Sequence, residues 1–101
     1  MDKYVAPDPL RNQRALEVLL VLIEECAEVS HRASKMMRFG VYEAQAGQSE
    51  TNKDRLSVEV GDLLAMLDLC TEHGLLDWKL IEQARAKKPI AFEKYSQTEP
   101  E

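Results

Sequence analysis

Chain breakers are scarce: four glycines and four prolines interrupt 101 residues. Long segments therefore run uninterrupted, and none of them shows the sustained alternation of a strand. Cysteine is also rare. Cys26 and Cys70 both fall among apolar neighbours in helical segments, which predicts two buried free thiols in a reducing compartment. No apolar run approaches the roughly 20 residues needed to span a bilayer. Met1 to Arg11 carries two prolines, two aspartates and no apolar stretch, so it does not read as a signal peptide and a cytoplasmic location is expected. Excess positive charge is missing too. A net charge of −5 argues against direct nucleic-acid binding, which needs a basic face. It leaves nucleotide chemistry open, because a bound cation offsets acidic charge locally.

What remains is the composition of a folded soluble protein, 45% hydrophobic and 31% charged, too short for more than one domain. There is no repeat and no low-complexity tract. Pro7 and Pro9 precede a first periodic segment, Leu10 to Arg38. In it, Leu16, Leu19, Leu20, Ile23, Ala27 and Ser30 recur at helical spacing. Val18, Leu22, Cys26, Val29, Ala33 and Met36 form a second row beside them. A helix apolar over about half its circumference must touch partners on two sides. Gly40 suits its C-cap, and 41–50 reads as a polar loop. Thr51 or Asn52 can cap a second helix, with Asp54 in its first turn. Leu56, Val60, Leu63, Leu67 and Cys70 line that helix to about His73, where Gly74 stops it. Asp77 can cap a short third helix to about Lys87, with Leu80, Ile81 and Ala84 inward and Pro89 closing it. The expected layout is an N-terminal extension over 1–9, a helical domain over 10–89 and a tail over 90–101. Two long helices and one short one do not complete a bundle, so the expected fold is all-α with a four-helix core formed on dimerisation.

Carboxylates crowd this framework. Glu24, Glu25 and Glu28 share one turn of the first helix, where like charges at three- and four-residue spacing repel. A solvated acidic face accounts for them equally well, since Glu17, Arg32 and Lys35 share that side. Glu59 and Asp62 form a second pair, and Glu59 falls inside the apolar arc of its helix. Desolvating a carboxylate there is costly unless a cation or hydrogen bonds compensate. Arg55, one turn back, is a competing partner for Glu59, though it leaves Asp62 unexplained. If the two helices pack antiparallel, both acidic pairs converge on one volume, and an all-oxygen cluster suits magnesium, with manganese as a substitute. Glu28-x-x-His31 also has di-iron bundle spacing, but the second copy that chemistry needs is missing, since Asp62 stands three after Glu59.

Glu24-Glu25-Cys26-Ala27-Glu28, followed by Glu59-Val60-Gly61-Asp62, resembles the E-E-x-x-E … E-x-x-D signature of the all-α nucleoside triphosphate pyrophosphatases. Ser34 to Gly40 and Asn52 to Leu56 resemble the small MazG-like members. The resemblance covers roughly residues 15–95. It implies a MazG-like homodimer or dimer of dimers, with Mg²⁺ at Glu25, Glu28, Glu59 and Asp62. It also implies hydrolysis of a (d)NTP between the α and β phosphates, with Glu24 behind the metal ligands or positioning the attacking water. Lys35, Arg38, Arg55, Lys87, Lys88 and Lys94 are candidate phosphate-binding cations, Arg38 first because a guanidinium grips phosphate bidentately. Tyr42 and Trp78, with Phe39 and Tyr95, are candidates to stack on the base. The alternative function is a non-catalytic helical interaction or regulatory module on the same bundle.

Overall fold

Asn12 opens the first long helix. Its side chain accepts hydrogen bonds from the N–H groups of Arg14 (2.8 Å) and Ala15 (3.4 Å), which satisfies donors that the first turn leaves unpaired. In a computed structural model describing residues 7–99, this helix, α1, spans Gln13–Phe39. A short 3-10 turn at Pro9–Arg11 precedes it, so the regular helix begins three residues later than the periodicity predicts. Residues 1–6 of the expected N-terminal extension, and Pro100 and Glu101 of the expected tail, lie outside the described residues. Gly40 ends α1 at φ +96, its N–H donating to the Met36 carbonyl.

Thr51 caps α2, which spans Asn52–Glu72. The cap is reciprocal: Thr51 Oγ1 accepts from the Asp54 N–H at 3.1 Å, and Asp54 accepts from the Thr51 N–H at 2.9 Å, the capping-box arrangement. The Asp54 carboxyl is held below its ordinary range by these hydrogen bonds to Thr51. Asn52 is not the cap. It is buried, and its amide donates to the Gly40 carbonyl (2.8 Å) and to Glu43 (3.0 Å). Together with backbone bonds from Asn52 to Glu43 and from Lys53 to Val41, this side chain ties the start of α2 to the loop and to the end of α1. At the far end of α2, Gly74 at φ +73 donates to Thr71 and Leu75 donates to Cys70, the paired bonds of a Schellman stop.

The two helices form an antiparallel hairpin. Asn52 meets Gly40 at one end, and Gly74 lies beside Pro9 at the other. Within α1, the positions withdrawn from solvent include Ala15, Val18, Leu22, Glu25, Val29, Arg32 and Met36. Within α2 they include Asn52, Leu56, Glu59, Leu63, Met66 and Cys70. Both sets alternate three- and four-residue steps, the seam of a coiled-coil-like pair. Each seam is apolar except where Glu25 and Arg32 of α1 and Asn52 and Glu59 of α2 interrupt it.

The other apolar row of α1 is uncovered: Leu16, Leu20 and Ile23 are 48%, 57% and 61% exposed. The sequence expects this helix to touch partners on two sides, and a single chain supplies one. Cys26 sits on the uncovered flank and is exposed, contrary to the expectation of two buried thiols. Cys70 is buried, and that burial raises its thiol pKa. Among the described residues, only Ala15, Val18 and Cys70 are fully buried apolar residues. The radius of gyration is 18.3 Å, against about 13 Å for a compact chain of this length. The shortest extent is 15 Å, little more than the roughly 10–12 Å diameter of one helix. The chain is a single layer.

The third helix differs from expectation. α3 runs Trp78–Tyr95, capped by Asp77, and continues through Pro89. Proline removes one N–H and crowds the carbonyl four residues back. Here that carbonyl belongs to Arg85 on an exposed helix, where water can satisfy it, so the chain continues through residues 90–95 rather than ending near Lys87. α3 does not pack along α1 or α2. Leu80 and Ala84, expected to point inward, are exposed, and Ile81 is half-buried. No strand occurs among the described residues, apart from one isolated bridge between Ala44 and Thr51.

Candidate metal centre

The antiparallel seam brings carboxylates from both long helices together. Glu25 of α1 and Glu59 and Asp62 of α2 each present an oxygen, and these three atoms lie within 4.8 Å of one another. Glu25 and Glu59 are half-buried and Asp62 is exposed, so the cluster opens to solvent on one side. The local reason is the seven-residue repeat. Glu25 occupies the inward register of Val18, Leu22 and Val29, and Glu59 that of Leu56 and Leu63. Asp62, three residues beyond Glu59, follows on the neighbouring shoulder of α2.

Among the described residues, no cation pairs with the cluster. The ion pairs among the described residues are Arg14–Glu17, Arg55–Glu50 and Arg85–Glu82, each at 3.8 Å. Arg55 therefore pairs with Glu50 and not with Glu59, which removes the competing structural explanation for Glu59. Glu25 Oε2 is buried with no hydrogen-bond partner, whereas buried polar atoms are ordinarily satisfied. Loss of hydration raises the Glu25 pKa above its ordinary value. The charges of Asp62 and Glu59, a hydrogen bond with Glu59 and the charge of Glu28 add in the same direction. A group held in this state is stabilised by a neighbouring cation or by a proton.

The other candidates divide. Glu28 is exposed and outside the three-oxygen cluster, although its charge reaches Glu25. Glu24 is exposed on the same turn, and His31 is exposed as well. Neither histidine joins the acidic cluster. Lys35 and Arg38 gather over the Phe39 ring, 5.5 and 5.0 Å from its centre, in cation–π geometry. Lys87, Lys88 and Lys94 are on α3, and Lys94 lies over the Tyr95 ring. Tyr42 is on the loop, 77% exposed, with Lys53 over its ring. Trp78 borders a separate hollow with Asp68, Thr71 and Glu72, toward the other end of α2 from the loop.

One residue of this region, Arg32, is placed by the sequence on a solvated face. Arg32 is half-buried and lines a cleft with Arg55, Glu59, Glu50 and Val58. Its signal is its register: seven residues after Glu25, it falls in the inward row and not on a solvated face.

A scan against protein-family models, a search of curated proteins and a search of solved structures each return no match.

Proposed function

We propose that this chain is a divalent-metal-dependent hydrolase of nucleoside triphosphates that releases pyrophosphate and the nucleoside monophosphate. The observation that carries the reading is the meeting of Glu25, Glu59 and Asp62, drawn from two helices and paired with no cation among the described residues. The resemblance of Glu24-Glu25-x-x-Glu28 and Glu59-x-x-Asp62 to the all-α pyrophosphatase signature supports the same reaction.

The residues fit a hard cation. All donors are carboxylate oxygens, one of them buried and unpartnered, and such a set suits magnesium or manganese. Glu25, Glu59 and Asp62 would hold the ion, with Glu28 one turn along α1 within reach of its field. Bound there, the ion would neutralise phosphate charge and lower the pKa of water. The chain's own contribution is to hold these carboxylates on two packed helices, so that their geometry does not depend on a mobile loop. Glu24, exposed on the same turn, would orient a water or accept its proton.

Self-association belongs to the same proposal. The uncovered row of Leu16, Leu20 and Ile23 borders an apolar groove of about 310 Å³, and a second copy of the hairpin laid against it would complete a four-helix core. This row also favours a second reading, a helical interaction module without catalysis.

The decisive experiment is a screen of common and modified (d)NTPs for pyrophosphate release with magnesium. Release from at least one substrate, lost in Glu59→Gln, is expected. No release from any of them, together with no effect of magnesium on the thermal melt, would establish the interaction module instead.

A further inference from the structure

Next to the carboxylates, the α1–α2 seam holds a pair of arginines. Arg32 on α1 and Arg55 on α2 line one cleft of about 120 Å³ together with Glu50, Val58 and Glu59, the last forming its wall toward the acidic cluster. The Nε of each arginine is buried and has no hydrogen-bond partner. Arg55 reaches one acid, Glu50, through Nη2 at 3.8 Å, and Glu50 is 67% exposed, so this pair is weak and screened. Arg32 has no ion pair among the described residues. Unlike Lys35 and Arg38, which lie over Phe39, neither arginine is stacked on a ring.

The geometry points to an oxyanion site: Arg32 and Arg55 receive the two distal phosphates of a nucleoside triphosphate, the part that leaves as pyrophosphate. The chemistry matches. A guanidinium offers parallel N–H donors to phosphate oxygens, and a buried Nε–H is available for one of them. The cleft is several times the roughly 30 Å³ that one water occupies, room for a phosphoryl group. Arg55 precedes Glu59 by one turn of α2, roughly 6 Å along the axis. A chain of phosphates held by the arginines would therefore continue toward Glu25, Glu59 and Asp62. Assigning the anion as the pyrophosphate end rests on the hydrolase reading above; the oxyanion site itself rests on the arginines.

Titrating the full chain with inorganic pyrophosphate, without magnesium and again with it, tests the site. Wild type is expected to bind in both buffers, and Arg32→Gln and Arg55→Gln each to lose about tenfold or more in affinity, with helical circular dichroism retained. Arg32→Lys and Arg55→Lys keep the charge and the aliphatic stem if the glutamine variants fail to fold. They should still lose affinity, because a lysine lacks the planar fork. Failure of wild type to bind in either buffer, or wild-type affinity in the lysine variants, overturns the site. The two readings fail separately. Arginine-dependent pyrophosphate binding without hydrolysis of any triphosphate would remove the catalytic reading and leave the oxyanion site. Hydrolysis with unchanged KM and kcat in the arginine variants would do the reverse.

Discussion

Replacing Glu59 by glutamine should stabilise the metal-free protein and abolish its response to magnesium. Glu59 and Asp62 are like charges three apart on α2, a pair that costs about 0.2–0.5 kcal/mol. In a domain of this size each kcal/mol moves Tm by about 4–8 °C, so removing the pair raises Tm in EDTA by roughly 1–4 °C. The Glu25 carboxylate lies within the same cluster, so relief of its repulsion adds to this and the figure is a floor. For wild type, magnesium at about 100 times its Kd adds about 2.7 kcal/mol, a rise of roughly 10–20 °C. The assay is a thermal melt followed by circular dichroism, with and without magnesium, at fixed protein concentration because an associating chain melts in a concentration-dependent way. A Glu59→Gln variant that melts below wild type in EDTA would show Glu59 to be a structural partner. One that keeps the magnesium shift would show that the ion binds elsewhere. Either result refutes the site.

Three further outcomes follow from particular groups. In EDTA, the raised pKa of Glu25 means that the folded state keeps a proton the unfolded chain releases, from the ordinary 4.5 up to the folded value. Stability should therefore fall as pH rises through that window and level off above it; urea titrations from about pH 4 to about pH 8 should show the decline, and Glu25→Gln should flatten it. Asn52→Ala removes both amide hydrogen bonds that tie the start of α2 to Gly40 and Glu43 and should cost about 1–3 kcal/mol, read as a lower Tm. Leu20→Asp places a charge in the uncovered row; wild type should sediment above the 11.5 kDa of one chain and the variant at that mass.

Much of the fold is legible in the residues. The 3-4-3-4 spacing of apolar positions specifies two long helices; Thr51, Asp54 and Gly74 mark the ends of α2 and Asp77 the start of α3 through short-range hydrogen bonds. Such features depend on neighbours a few residues apart, so the sequence carries them directly. Glu59 is legible for the same reason, as a charge inside an apolar arc. Pro89 misleads because its cost depends on whether the carbonyl it orphans is buried, and on this exposed helix it is not.

The sequence by itself determined the element types, the two acidic pairs and the excess of apolar surface over what one hairpin can cover. Only the tertiary structure decided which of the two apolar rows of α1 faces α2. That choice turns Glu25 and Arg32 inward, leaves Leu20 and Cys26 open, and puts Glu25 but not Glu28 among the oxygens of Glu59 and Asp62. The physical reason is register. Both rows satisfy the helical period equally well within α1, and the seam is selected by packing against the side chains of a second helix, information that no window of the first contains.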